Sequence, residues 1–315
     1  MKDLLNSIVD IVIINYNNAS IILSCIESIY NTASEIVNDI IIVDNDSSDN
    51  SLQLIREKYP KVKIIENPSN YGYAKAVNIG VRASFTDYVI VSNSDVIFLN
   101  DSISTLTNYL INNEDVGTAG AQQLYPNGDW HRSYGHYPGI LSSVLELFLL
   151  APLSRLIRHL FWKKLPIDRF QKEVGYADGG VLAVKKQAFN NINGFDEDFF
   201  FYSEEADFCY RLKKSGWIVM FNPKAKVIHL RGATTNKSAN YEYFVKMLAE
   251  NKILFCKKHF TKLTCLLYII LEVIHHTSRI FLWSIYSLIN NEKSKEHILR
   301  NKTLLEVYKS NLKNY

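Results

Sequence analysis

Cysteine is scarce in this sequence. The four residues Cys25, Cys209, Cys256 and Cys265 form no CxxC pair and no metal-ligand spacing, so they read as reduced core thiols. Charge of one sign is also scarce. With 35 Lys+Arg against 32 Asp+Glu the net charge is +3, and no basic run is interleaved with stacking aromatics, which excludes nucleic acid as the expected partner. Neither apolar block offers about 18 uncharged residues in a row, as a membrane span would. The block 140–161 is broken by Pro152 and trailed by Arg155, Arg158, His159, Lys163 and Lys164; the block 263–289 is broken by Glu272, His275, His276 and Arg279. The GxxxxGK(S/T) and GxGxxG loops are missing, which leaves ATP hydrolysis and NAD chemistry without support. Asp3 and Asp10 flank a short apolar run with no small-residue cleavage site, so the start reads as a first strand and a cytoplasmic location is expected. There is no internal repeat or low-complexity linker.

What is present is apolar residue, 47% of 315, enough for one large α/β domain plus an appendage. Strand and helix signals alternate through the first half. Ile8–Ile14, Ile40–Val43, Val62–Ile65 and Tyr88–Val91 read as strands, with helices expected over Ser20–Tyr30, Asn50–Tyr59 and Tyr73–Ala83. This order predicts a doubly wound, mainly parallel sheet, whose ligands bind beyond the carboxyl ends of the strands. Three strands discharge into polar clusters there: Asn15-Tyr16-Asn17, Asp44-Asn45-Asp46 and Asn93-Ser94-Asp95. Mixed α/β signals return after Ala177 and end at Val227-Ile228-His229; from Tyr241 onward the chain reads as helix. The expected domains are 1–235, carrying an apolar helical insertion at about 140–165, and a helical region over 236–315.

The densest constellation is Phe195–Arg211, FDEDFFFYSEEADFCYR. Glu204, Glu205 and Asp207 crowd beside four consecutive aromatics, a mixture suited either to a cleft wall holding a general base or to an acid-capped helix start. Asp44 is placed to accept a hydrogen bond from a pyrimidine imide or to cap a turn. Asp95 can ligate Mg²⁺ or Mn²⁺, and His229 is either a second ligand or a structural histidine. Gly72 permits a tight turn before a helix whose N–H groups, with Lys75, can face an anion. Asp178-Gly179-Gly180 allows close backbone approach to a ligand, or is a bulge.

In the order VIINYN, IIVDNDSSDNS, NYGYAKAVNIG, VSNSDV, DGGVLAVKK, GFDEDFFFYSEEADFCYRLKKSGW and VIHLRGATT, these segments resemble the family-two inverting glycosyltransferases of the GT-A fold over roughly residues 8 to 235. The later motifs are most similar to bacterial rhamnosyltransferases of polysaccharide assembly. The resemblance implies a GT-A fold with a C-terminal helical appendage. It also implies transfer of a sugar, rhamnose or another hexose, from a nucleoside diphosphate donor (dTDP-rhamnose or a UDP-sugar) to a glycan or polyprenyl-diphosphate-linked acceptor. Asp44 would read the pyrimidine, and Asn15, Asn17, Gly72, Lys75, Asn78 and Asn93 would line the donor site. Asp95 and His229 would hold Mg²⁺ or Mn²⁺, and Asp178, Gly179 and Gly180 would meet the acceptor. Glu205 falls at the catalytic base, with Glu204 before it and Asp207 after it. Two positions depart from the family: Asn93 stands where the first acid of Asp-x-Asp is usual, and Glu205 stands where the base is usually Asp. The two apolar blocks, with cations at their margins, imply peripheral contact with the inner membrane face. A non-catalytic sugar-nucleotide-binding scaffold and a sugar nucleotidyltransferase are the alternatives.

Overall fold

A computed structural model describes residues 8–148, 170–230, 241–288 and 290–313. They form two units, residues 8–136 with 170–230, and residues 137–148 with 241–288 and 290–313.

The first unit is built on a nine-stranded sheet. Its elements begin β1 (Val9–Asn15), α1 (Ile22–Ala33), β2 (Val37–Asp44), α2 (Ser51–Lys58), β3 (Lys63–Glu66), α3 (Tyr73–Ala83) and β4 (Tyr88–Asn93), as the alternation predicts. They continue through β5 (Val96–Phe98), α4 (Ser102–Ile111), β6 (Val116–Leu124), β7 (Tyr134–Gly135), β8 (Lys172–Glu173), β9 (Tyr176–Ala177), β10 (Val181–Lys185), the helices Lys186–Asn191 and Glu204–Lys214, and β11 (Ile218–His229). The strand order is β3-β2-β1-β4-β10-β6-β11-β5, with β8 on β11 and β7–β9 as a separate pair. β1 to β4 are parallel, as is β6 with β11, whereas β10 runs antiparallel between β4 and β6. The sheet is therefore mixed but mostly parallel. β1 is central and buried at all seven positions, which explains its unbroken β-branched run. Ile11, Ile13, Ile42 and Ile90 pack with Ile22, Ile26, Ile29, Ile103 and Leu106 in one core.

Asp10 sits in that apolar strand fully buried, at the end opposite the polar clusters. Its carboxylate accepts from Asn38 Nδ2 (2.9 Å), the Asp39 N–H (3.0 Å), Ser84 Oγ (2.7 Å) and the Phe85 and Thr86 N–H groups (2.8 and 3.2 Å). Burial works against the charge, but these donors outweigh it and hold the carboxyl below its ordinary pKa.

The second unit is helical: Ile140–Leu147, Tyr241–His259, Lys262–Tyr286 and Asn291–Leu312. The helix Ile140–Leu147 therefore groups with the C-terminal helices. Three of the four polar interruptions of the second apolar block are buried, and all four face partners within this unit. Glu272 accepts from Ser143 Oγ (2.5 Å) and lies 3.4 Å from His276 Nε2, whose Nδ1 is 2.9 Å from Asn301 Oδ1. Burial opposes ionisation of Glu272, yet His276, Lys252 and Ser143 lower its pKa to about 2. His275 is buried beside His276, and Arg279 donates to the Glu146 carbonyl. Leu263, Leu267, Ile270, Ile274, Phe281 and Ile285 are left exposed at heptad-like spacing. By length and composition alone Lys262–Tyr286 could cross a membrane, a reading the sequence disfavoured. The cations from Arg155 to Lys164 lie outside the described residues.

Candidate active site

Parallel pairing levels the polar strand ends at one edge of the sheet. Asn15 sits opposite Asp44, and Ile14 opposite Asn93. The Asn93 N–H donates to the Gly180 carbonyl (3.1 Å), and the Leu230 N–H to the Asp95 carbonyl (3.0 Å), which ties β10 and the end of β11 to the same edge.

Asp95 and His229 meet there, with Oδ1 3.1 Å from Nε2, and both are nearly buried. Asn93 Nδ2 lies 3.5 Å from the same ring nitrogen. On the ring's far side, Nδ1 is 2.8 Å from Gln123 Oε1, and Gln123 Nε2 donates to Asp178 Oδ1 at 2.7 Å. Gly180 has to be glycine here, because a Cβ would fall 2.6 Å from His229 Nδ1. A carboxylate oxygen and an imidazole nitrogen 3.1 Å apart match the edge of an octahedron with bonds of about 2.1 Å, whose cis ligands are about 3.0 Å apart. Asp95 and His229 are thus spaced as two residues that could hold a divalent cation; among the described residues no third carboxylate, His or Cys joins them.

On the β2 side, Asp44 is 2% exposed. Its Oδ1 accepts from Asn15 Nδ2 (2.7 Å) and Ser47 Oγ (2.6 Å), and its Oδ2 from the Ser47 N–H (2.9 Å). Asp44 therefore does cap its turn, with Oδ2 the less engaged oxygen. Asn15 Oδ1 is buried with no partner among the described residues. Asn17 is exposed in a left-handed conformation (φ 51°) and accepts from the Ser48 N–H. Gly72 (φ 81°) opens α3; a Cβ there would strike the Phe200 carbonyl at 2.5 Å. Lys75 Nζ stands 4.0 Å over the Tyr71 ring. Asn78 does not reach this edge with a free amide. It donates to the Phe195 carbonyl and Glu197 and accepts from the Phe195 N–H, so it clamps the acidic segment in place.

That segment enters its helix through two consecutive left-handed residues, Tyr202 (φ 76°) and Ser203 (φ 69°), a conformation that costs energy in non-glycine residues. The turn delivers Glu204 buried and Glu205 half-buried, with the Glu205 Cβ close enough to meet a Cβ added at Gly179 at 3.5 Å. Glu204 Oε2 has no hydrogen-bond partner among the described residues. Burial first, then repulsion from Glu205 and Asp178, raises the Glu204 carboxyl well above the ordinary range. Tyr73, whose N–H bonds the Phe200 carbonyl and whose hydroxyl bonds the Gly179 carbonyl, lies among these acids. Burial raises its hydroxyl far up, and Glu204, Glu205, Asp178 and Asp95 push it further. Asp207 sits apart from this group of four. It is fully buried and pairs with Arg211 (2.7 Å), which also holds the Ile192 carbonyl, so it locks the helix to the preceding loop. The sequence reading missed Gln123, Tyr73 and the left-handed pair; a Gln-Gln step in an apolar strand was the one visible signal.

Comparison with known proteins bears on the family and the fold. The sequence model of "Glycosyl transferase family 2" matches residues 10–192, and that of "N-terminal domain of galactosyltransferase" matches 165–232. The chain is 28% identical over 218 residues to the N-acetylglucosaminyl-diphospho-decaprenol L-rhamnosyltransferase of Mycobacterium tuberculosis, covering 63% of this chain and 68% of the relative. It is 25% identical over 168 residues to the rhamnosyltransferase WbbL of Escherichia coli, covering 50% and 61%. The fold matches that of a mannosyltransferase of Pyrobaculum calidifontis solved with GDP-Man and Mn²⁺, with TM-score 0.60, 14% identity and coverage of 96% and 86%.

Proposed function

The chain belongs to glycosyl transferase family 2, and on that premise we propose that it moves a sugar, rhamnose first among the candidates, from a pyrimidine nucleoside diphosphate to a glycan or lipid-linked glycan acceptor with inversion. Membership in the family makes it a glycosyltransferase and sets aside the scaffold and nucleotidyltransferase readings. The observation that carries the finer reading is the meeting at the carboxyl edge of the sheet of Asp95 with His229 (3.1 Å) and of Glu205 with Gly179, whose carbonyl holds the Tyr73 hydroxyl (2.7 Å).

The roles follow from chemistry. Burial and the neighbouring acids raise the Glu204 carboxyl, so we assign the base to Glu205, the less buried of the two. Glu205 takes the acceptor hydroxyl's proton as that oxygen bonds the anomeric carbon. The bond from that carbon to the diphosphate breaks, and the nucleoside diphosphate leaves with the electron pair. A divalent cation at Asp95 and His229 would supply charge neutralisation to the departing diphosphate; the Pyrobaculum calidifontis neighbour holds Mn²⁺. Asp44 Oδ2 accepts the imide N–H of the base. Asn15, Asn17, Gly72, Lys75 and Asn93 line the donor, and Asp178–Gly180 the acceptor. We place the protein in the cytoplasm, resting on the inner membrane face through the exposed stripe of Lys262–Tyr286.

The test is a panel of nucleotide sugars read by thermal shift and slow donor hydrolysis. A dTDP- or UDP-sugar should raise the melting temperature and be hydrolysed, with EDTA suppressing hydrolysis and Mg²⁺ or Mn²⁺ restoring it. Indifference to every pyrimidine nucleotide sugar would contradict the donor class, and full activity in excess EDTA would remove the cation from Asp95 and His229.

A further inference from the structure

Gln123 belongs to none of the motifs that marked the site, yet it is 1% exposed and touches two of the site's residues. A carboxylate can only accept hydrogen bonds. The end of the Gln123 amide that lies 2.7 Å from Asp178 Oδ1 must therefore be its NH₂. Asp178 is itself fixed, since the same oxygen accepts the Gly180 N–H at 3.2 Å. The amide oxygen is then forced toward the His229 ring, 2.8 Å from Nδ1. An amide oxygen also only accepts, so Nδ1 must carry a hydrogen. Gly180 lies against both groups: a Cβ there would fall 2.6 Å from Nδ1 and 2.9 Å from Gln123 Nε2. In the neutral ring the opposite nitrogen, Nε2, is left with its lone pair, 3.1 Å from Asp95 Oδ1. Asn93 Nδ2, 3.5 Å away, presents hydrogens to that lone pair where a carboxylate would present another acceptor.

We propose that Gln123 is a positioning residue: oriented by Asp178, it holds His229 in the Nδ1–H tautomer and so keeps Nε2 available beside Asp95 as a ligand. Left to itself, a neutral imidazole facing Asp95 would place its hydrogen on Nε2, toward the carboxylate, and lose that capacity. Partners of this kind set the tautomer of ligating histidines, and their removal typically lowers metal affinity about 10- to 100-fold. The inference rests on the assignment of Asp95 and His229 to the metal–diphosphate end of the site, but its readout needs neither activity nor a sugar.

The experiment is long-range ¹H–¹⁵N NMR of the full chain with ¹⁵N-labelled histidine, without metal, at about pH 8.5, two units above the ordinary imidazole pKa. The His229 signals are identified by their absence in His229→Asn. Wild type should show Nδ1 protonated and Nε2 bare. Gln123→Met, which keeps the shape and removes the acceptor, should move the hydrogen to Nε2. Mn²⁺ binding in the presence of UDP, followed by electron paramagnetic resonance, should weaken about 10- to 100-fold in Gln123→Met. An Nε2–H or doubly protonated ring in wild type overturns the proposal without recourse to any variant. So does a Gln123→Met protein with unchanged tautomer and Mn²⁺ affinity. Failure of every donor assay alongside the expected tautomer would instead strike the function and leave this positioning intact.

Discussion

Glu204→Gln should flatten the pH dependence of stability on the alkaline side of the carboxylate range. The Glu204 carboxyl is 5% exposed, its Oε2 has no partner among the described residues, and burial with repulsion from Glu205 raises its pKa. The folded state therefore holds a proton that the unfolded chain releases near pH 4.3, the ordinary value for Glu. Below that pH the carboxyl is neutral in both states and the stability of the neutral form is fully present. Above it, stability falls by about 1.4 kcal/mol per pH unit until the folded pKa is reached, beyond which the loss is complete. Glutamine is isosteric with the neutral acid and cannot titrate. The difference in unfolding free energy, wild type minus Glu204→Gln, should decline with about that slope as pH rises above the ordinary Glu value toward the folded one. Urea denaturation at several pH values measures it, and the titrating groups that do not interact with Glu204 cancel in the difference. Parallel curves across that range would show that Glu204 is charged in the folded protein, and would remove the reason for assigning the base to Glu205.

Three further outcomes follow from the geometry. Asp10→Ala removes the acceptor for three part-buried backbone N–H groups and should cost about 3 kcal/mol, at about 1 kcal/mol for each hydrogen bond lost; because its folded pKa is lowered, the wild-type contribution should persist above about pH 3.9 and fade as pH falls through the folded value, and an unchanged unfolding midpoint would refute the anchor. Calorimetry should show UDP and dTDP bound more tightly than CDP, by on the order of 1–3 kcal/mol, since cytosine turns an acceptor toward Asp44; equal affinities would remove Asp44 from the base pocket. Alkaline carbonate should release the protein from membranes while high salt releases it in part, because the exposed stripe is apolar; a carbonate-resistant pellet would mean that Lys262–Tyr286 crosses the bilayer.

The parallel half of the sheet was legible because β1, the second half of β2 and most of β4 are buried and their apolar runs say so. Asp44, Asn93 and Asp95 could be found for the same reason: each follows a strand whose end the register then aligns with its neighbours. β6 was not legible, since Val116–Leu124 is rich in glycine, alanine and glutamine and becomes a strand through pairing with β10 and β11. Gln123 shares that obscurity, with partners 55 and 106 residues away. Asp207 was grouped with the acids of the site, although Arg211 stands one turn on and the i,i+4 spacing was visible. Asn78 could not be separated from the donor residues, because its partners lie 117 and 119 residues away. The polar breaks in the second apolar block were read as interruptions of an interfacial stripe. They turn inward onto Ser143, Asn301 and the Glu146 carbonyl, and leave the apolar residues outside.

Turnover of Glu205→Gln beside Glu204→Gln, with a donor identified from the panel, decides whether this acidic group performs the transfer as described. Glu205→Gln keeps the shape and removes the proton acceptor, so turnover should fall by about 10²- to 10⁴-fold with donor affinity nearly unchanged, while Glu204→Gln should keep most of its turnover. Near-normal turnover in Glu205→Gln together with loss in Glu204→Gln would contradict the account and move the base to Glu204.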